Sequence, residues 1–343
     1  MALVNLYSDT QTQPTAAMRA AIAAAEVGDE QRGADPTTNA LQERVATLLG
    51  HEAALFLPSG TMCNEIAIRL HIRPGGERMF IGRDTHTLIA EAGGPAQLSG
   101  AVITEIDGDS GMFTPEALEH AIHGSGPGGR YGPRERLVSV EQTTNMGGGR
   151  VWPLERVRAV LDVARASGLA THLDGARLMN AVVASGVDAA DWASGFDSAW
   201  LDFTKGLGAP VGACLAGPAA FIEEAWRWKQ MLGGAMRQSG IVAAAGLYAL
   251  DHHVARLADD HARARRLAEG LAALPGVDLN PATVETNIVI FAVPDAAAFT
   301  TALAAEKIEM SHFGPTRVRA VTHLDVDDEG IDRALAAAAR ALG

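Results

Sequence analysis

Positive charge is scarce in this chain: 28 lysines and arginines stand against 41 aspartates and glutamates, for a formal net charge of −13. That balance excludes an electrostatic footprint for nucleic acid. Cysteine is scarcer still. Cys63 and Cys214 are the only two, with no CxxC pair and no cluster of metal ligands around them. A disulfide scaffold and a zinc module are therefore not expected; both cysteines read as buried free thiols. With no metal-ligand cluster elsewhere, chelators are expected to leave activity unchanged. No apolar run reaches membrane-spanning length, and the opening Met1-Ala-Leu-Val-Asn5 lacks a leader pattern, so a cytoplasmic protein is expected. Aromatics make up only 5% of the residues, against 48% hydrophobic residues and 37 glycines. That composition suits an alanine-rich α/β protein, and 343 residues exceed one ordinary core, so one large domain and a smaller one are expected.

What is present is alternation. Apolar segments of strand length at 54–57, 102–106, 137–140, 169–173, 199–203 and 212–215 are separated by helical patterns, the clearest over 154–166. This is the pattern of a sheet with helices on both faces. Further helices are expected over 14–25, with Pro14 near its start, and over 39–49, opened by Asp35-Pro-Thr-Thr38 and stopped by Gly50. Pro58-Ser-Gly-Thr61 should turn a strand into a helix beginning near Met62. One long helix is expected over 239–274, ended by Pro275-Gly276, followed by a strand at 287–293, a helix at 296–305, a strand at 317–322 and a helix at 329–342. The domain change is placed inside the long helix, giving a large domain 1–245 and a small α+β domain 246–343. The glycine-rich stretch 124–129 reads as a loop.

Chemistry concentrates where strands end. Trp200-Leu-Asp-Phe-Thr-Lys-Gly-Leu-Gly-Ala-Pro210 reads as a buried strand that delivers the amine of Lys205 to a tight turn. A desolvated lysine is a good nucleophile toward an aldehyde, and pyridoxal phosphate is the usual one; a surface turn lysine is the plainer alternative. Asp174, at the end of another apolar strand, is costly to bury without a cation. The pyridine nitrogen of that cofactor is one such cation, and a helix cap for Ala176 onward is the other reading. Ser59-Gly60-Thr61 sits at a strand-to-helix junction that either cups a phosphate or merely caps the helix. An imine lysine, an acid for the ring nitrogen and a phosphate cup on successive strand ends together favour the cofactor. Arg177, Arg237 and Arg319 are candidates for a substrate carboxylate, although Arg319 also fits a solvated strand face. His86 is placed to stack on a ring or to be an ordinary loop histidine, whereas His252 and His253 read as structural or exposed.

Several blocks together resemble the low-specificity L-threonine aldolases, pyridoxal-phosphate enzymes of the aspartate-aminotransferase superfamily, fold type I. They are Ser8-Asp-Thr10, Val27-Gly-Asp29 with Asp35-Pro-Thr37, Pro58-Ser-Gly-Thr61, and His86 with Glu91-Ala-Gly-Gly94. They continue through His172-Leu-Asp-Gly-Ala-Arg177 with Asn180-Ala181, Thr204-Lys-Gly-Leu-Gly-Ala-Pro210, Gly233-Gly-Ala-Met-Arg-Gln238 and Arg319-Ala-Val-Thr-His323. The resemblance implies a large domain with a mostly parallel, seven-stranded-type sheet and a small C-terminal α+β domain. It implies that Lys205 carries the cofactor, Asp174 partners the ring nitrogen, His86 stacks on the ring, and Gly60 and Thr61 cup the phosphate. It further implies that Arg237 reaches the phosphate from a neighbouring subunit, and that Ser8, Arg177 and Arg319 hold the substrate carboxylate, with Arg177 also near the cofactor. A homodimer with shared sites, paired into a homotetramer, follows from the same likeness.

The implied reaction is retro-aldol cleavage of L-threonine, L-allo-threonine and related β-hydroxy-α-amino acids to glycine and an aldehyde, with His86, or a water it positions, as first candidate for the base. The alternatives are β-elimination, racemisation or transamination on the same scaffold, and a folate-dependent transfer or a non-catalytic regulator further off. Three places depart from the family pattern. Arg32 stands where the family has a tyrosine, Tyr7 where it has an arginine, and Glu141-Gln-Thr-Thr-Asn145 lacks the usual histidine. A second family histidine aligns with Tyr131.

Overall fold

The chain is described here from a computed structural model covering residues 2–124 and 129–343. The glycine-rich loop expected at 124–129 falls, but for its two ends, outside the described residues. The strands in chain order are β1 (Val4–Asn5), β2 (Ala53–Leu57), β3 (Arg78–Gly82), β4 (Val102–Ile106), β5 (Glu135–Glu141), β6 (Ala170–Gly175), β7 (Ser198–Asp202), β8 (Ala213–Gly217), β9 (Ile288–Ala292), β10 (Ile308–Glu309), β11 (Ser311–Phe313) and β12 (Arg317–Val321). Seven of them form one sheet in the order β2-β8-β7-β6-β5-β3-β4, parallel except for β8, which runs against both its neighbours.

Side-chain alternation explains why these strands read as unbroken apolar runs. Phe56, Phe80, Val138, Leu201 and Cys214 enter one core, while Leu55, Met79, Leu137, Trp200 and Leu215, one residue away on the same strands, enter clusters on the opposite face. A sheet buried on both sides leaves no place for a polar stripe. The helices Pro36–Leu49 and Gly240–His252 bury Leu41 and Ala245 in the first core, and Gly60–His71 and Ala219–Met231 bury Ile66 and Ala225 in the other.

The antiparallel β8 shortens the link that precedes it. Parallel neighbours need a crossover of a dozen or more residues, whereas an antiparallel pair can be joined by a tight turn. β7 and β8 are joined directly across residues 203–212, with the Phe203 amide donating to Gly212 O and the Ala209 amide to Phe203 O. Gly208 (φ +75°) and Gly212 (φ +114°) adopt backbone angles that a side chain disfavours.

A second core lies beyond the sheet. β11, β12 and β9 form an antiparallel sheet packed with the helices Leu257–Ala272, Ala296–Ala305 and Asp328–Leu342. The start of the chain joins it: β1 pairs with β10, and Val4 and Leu6 are buried there.

Two expectations need correction. The long helix over 239–274 is two helices, Gly240–His252 and Leu257–Ala272. No proline or glycine breaks it; instead His253 Nδ1–H donates to Leu207 O at 2.7 Å, a tertiary bond at the bend. β3 was not anticipated, its short Met79-Phe-Ile81 run following a Pro-Gly-Gly segment, and neither were the two- and three-residue strands β1, β10 and β11.

Asp35 ties three segments together. Its Oδ1 accepts the Thr38 amide of the helix it caps at 2.9 Å, and its Oδ2 accepts the amides of Gly28 and Gly240 at 3.1 and 2.9 Å. Asp35→Ala should lose the cap and orphan two further donors, lowering stability by about 3 kcal/mol in denaturant unfolding. Asp35→Asn, which keeps a capping oxygen, should lose less.

Candidate active site

Because β8 alone is reversed, β2, β3, β5, β6 and β7 all point their carboxyl ends the same way, the place where α/β sheets hold ligands. A cavity of ≈ 600 Å³ opens there. Ser8, Gly60, Thr61, His86, Asp174, Arg177, Lys205 and Arg319 all line it, so eight of the nine residues singled out in the sequence come together. Arg237 does not; its side chain is 62% exposed and pairs with Asp29 at 3.3 Å. Tyr7 is at the cavity wall, while Tyr131 is 84% exposed and lies outside it, as does Arg32, exposed on the short helix Glu30–Arg32.

Lys205 leaves the end of β7 with Asp202 behind it. Asp202 Oδ1 accepts the amide and hydroxyl of Thr204 at 3.0 and 2.8 Å, and its other oxygen meets Lys205 Nζ. The Nζ also lies 5.6 Å from the ring centroid of Trp200. Trp200 in turn sets the shape of the phosphate-cup candidate, because a Cβ on Gly60 would sit 2.2 Å from its ring. Ser59 caps the helix by accepting the Met62 amide at 3.2 Å. The first amides of Gly60–His71, at Gly60 and Thr61, are those that have no partner within a helix.

Asp174 is buried at the end of β6, and burial pushes its carboxyl above the usual range, offset by a hydrogen bond from Asn64. Asn64 Nδ2 donates to Asp174 Oδ2 at 2.8 Å and the Ala176 amide to Oδ1 at 3.0 Å. Both the cap-like bond and the buried carboxylate are thus real. A protonated pyridine nitrogen would supply the cation that burial leaves wanting.

His86 is held from two sides. Its amide donates to Glu141 Oε2 at 2.5 Å, and its Nδ1 lies 2.9 Å from Glu91 Oε1. A carboxylate can only accept, so Nδ1 carries the proton and the lone pair of neutral His86 is on Nε2. The hydrogen bond to Glu91 raises the imidazole above its ordinary value despite burial. Glu141, fully enclosed, is pushed up by burial and then by the charge of Asp174.

The opposite wall is cationic. Arg177 grips Asp9 through Nε and Nη2 at 2.7 and 2.6 Å. Burial would raise Asp9, yet the charge and hydrogen bonds of Arg177 hold it well below the carboxylate range. Arg319 is driven down to about 10 by burial and then by Arg177, and its Nε is buried with no partner among the described residues. An anion would relieve both. Ser8 Oγ accepts from the amide and hydroxyl of Thr10 at 3.2 and 2.8 Å, which leaves its own O–H free to donate.

Asn64, Glu91, Glu141, Asn145, Trp200 and Asp202 were not singled out, although most lie in quoted blocks. Asp202 carried a signal in its spacing before Lys205. Asn64 carried none, being an amide in the first turns of an ordinary amphipathic helix.

Removing Asp9 would strand the buried Arg177 charge, so Asp9→Ala should cost about 3–5 kcal/mol in denaturant unfolding. Asp9 is held below its ordinary 3.8. The stability it contributes is therefore present above that pH and is lost only as pH falls through the lower folded value.

A sequence model of the beta-eliminating lyases matches residues 5–294. Probable low-specificity L-threonine aldolase 2 of Arabidopsis thaliana is 39% identical over 339 residues, covering 97% of this chain and 95% of the relative. The low specificity L-threonine aldolase of Escherichia coli (strain K12) is 41% identical over 327 residues, covering 95% and 96%. A solved structure of Leishmania major threonine aldolase superposes with a TM-score of 0.85 at 19% identity, covering 99% of both chains, and supports the fold alone. The chain belongs to the beta-eliminating lyase family, in its group of low-specificity L-threonine aldolases.

Proposed function

We propose that this protein cleaves L-threonine, L-allo-threonine and related β-hydroxy-α-amino acids to glycine and an aldehyde, with pyridoxal 5'-phosphate as cofactor. The observation that carries the reading is one cavity lined by an amine on a turn, a buried carboxylate, a glycine-opened helix start and an anion pocket. These residues fit the cofactor. Lys205 would hold its aldehyde carbon, Asp174 its ring nitrogen, Gly60 and Thr61 its phosphate, with His86 against the ring. When bound, the cofactor supplies an electron sink for the pair released as a bond to Cα breaks.

The protein's own groups do the rest. Arg319 and Ser8, with Arg177 behind them, anchor the substrate carboxylate and so fix which bond to Cα faces the sink. His86 Nε2 takes the proton of the β-hydroxyl, the Cα–Cβ bond breaks as the carbonyl forms, and the aldehyde departs. Addition of a proton at Cα then yields glycine. Glu91 orients His86 and keeps its acceptor nitrogen toward the cavity.

We also propose a homodimer, paired into a homotetramer, in which Arg237 serves the partner's cavity. Its exposure outside the cavity of its own chain supports this. The two cores support a division into large and small domains, with β1 crossing to the smaller; Ala249, Leu250 and Leu257 still belong to the first core, which favours a change after Leu257 over one near residue 245. Among the described residues no helix is long and apolar enough to cross a membrane. Two cysteines left free and buried support the cytoplasm as the compartment.

Purified protein with added pyridoxal phosphate should release aldehyde and glycine in equal amounts from L-threonine or L-allo-threonine, and Lys205→Ala should lower the rate by orders of magnitude. Pyruvate or another oxo acid in place of the aldehyde would overturn the reading in favour of elimination or transamination. A base must be unprotonated, and His86 is raised above its ordinary 6.5, so kcat/KM should rise with pH through a midpoint above that value. Glu91→Gln removes the largest raising contribution, and the acid limb should move to lower pH.

A further inference from the structure

Behind Asp174, buried polar side chains form a continuous line. His71 Nε2 lies 2.8 Å from Ser198 Oγ, which lies 2.8 Å from His172 Nδ1. His172 Nε2 lies 3.0 Å from Asn64 Oδ1, and Asn64 Nδ2 donates to Asp174 at 2.8 Å.

The direction of every bond follows from one neighbour. Trp200 Nε1 can only donate, and it lies 2.7 Å from Asn64 Oδ1. That identifies the amide oxygen, so His172 Nε2 must be an N–H donor to the same atom. Burial, reinforced by His71, drives His172 down to about 3, so it is neutral and its Nδ1 accepts. Ser198 O–H then donates to His172, and Ser198 Oγ accepts from His71, which burial drives to about 4. All donors therefore point toward Asp174. At the end of the line, Asn64 Nδ2 also meets Glu91 Oε1 at 2.8 Å, so one amide spans two carboxyl groups that repel each other. His86, Lys205 and Glu141 also act on Asp174.

We infer that His172, backed by Ser198 and His71, is a positioning residue: with Trp200 it fixes the Asn64 amide so that its N–H groups, not its oxygen, face Asp174 and Glu91. A rotated amide would set an oxygen against two carboxyl groups and weaken Asp174 as the acceptor for a ring nitrogen. The inference rests on the cofactor reading above and extends it to residues outside the cavity.

The test is titration of the full-length apoprotein with pyridoxal phosphate, read by the visible absorption of the bound cofactor and by the pH midpoint of that band. His172→Leu removes the donor and should weaken binding about tenfold and move the midpoint. His172→Gln places an amide N–H near the position of Nε2 and should return binding to within about threefold of the wild type, with the midpoint restored. Ser198→Ala, a small substitution in the same line, serves if His172→Leu does not fold and should move the midpoint in the same direction. Equal damage in His172→Gln and His172→Leu, or an unmoved midpoint in both His172→Leu and Ser198→Ala, would overturn the inference while leaving the cofactor reading intact. A wild-type chain that binds no pyridoxal phosphate would overturn both.

Discussion

The ion pair between Asp9 and Arg177 is the point at which three parts of the chain meet. Asp9 belongs to the opening segment, Arg177 follows the central strand β6, and Asn287, which donates to Asp9 Oδ2 at 3.0 Å, precedes β9 in the second core. Arg177 is buried, and so is its partner. A charge at that depth is tolerable only while its counter-ion is held in place. The wall formed by Ser8, Arg177 and Arg319 therefore exists only when the ends of the chain are docked on the sheet. The cavity is a product of tertiary closure rather than of any one loop.

Much of this was legible in the sequence, for a common physical reason. Lys205, Asp174 and Gly60 each follow an apolar strand and sit beside glycine or a turn residue, and those changes of pattern are visible without coordinates of any kind, whereas His86 follows β3, which was not anticipated, and stood out through the family resemblance. The sheet with helices on both faces follows from the same alternation; that it is mostly parallel was implied by the family resemblance. What escaped notice were the groups whose meaning depends on partners far away in the chain. Asn64 is recognisable only once Trp200, His172 and Asp174 surround it. The bend at His253 depends on the carbonyl of Leu207, for which the local sequence holds no counterpart of a proline or glycine. Arg237 was legible as an unusual cation in a glycine-rich run, and among the described residues its side chain meets Asp29, outside the cavity.

The electrostatics of the site divide along its two walls. On the sheet side, Asp174, Glu91 and Glu141 crowd together, and the protein meets their repulsion with donors such as Asn64, the His86 amide and the Asn145 amide. On the other side, Arg177 and Arg319 repel each other across the Asp9 carboxylate. An empty cavity thus has surplus negative character on one wall and surplus positive character on the other. A ligand with a cationic ring nitrogen at one end and a carboxylate at the other relieves both, which is why ionic complementarity and not apolar contact would dominate affinity here.

The reversed strand β8 has a bearing on how the molecule reaches its native state. Its pairing with β7 spans only the short link that carries Lys205, whereas β2, the first strand of the sheet in the chain, must find β8, the last. Loop closure favours near neighbours, so the β7–β8 pair belongs among the contacts formed early. The docking of residues 9 and 319, which come from opposite ends of the sequence, belongs among the last. The turn that presents Lys205 thus rests on a local pairing, whereas the pocket that would recognise a substrate rests on contacts between distant parts of the chain.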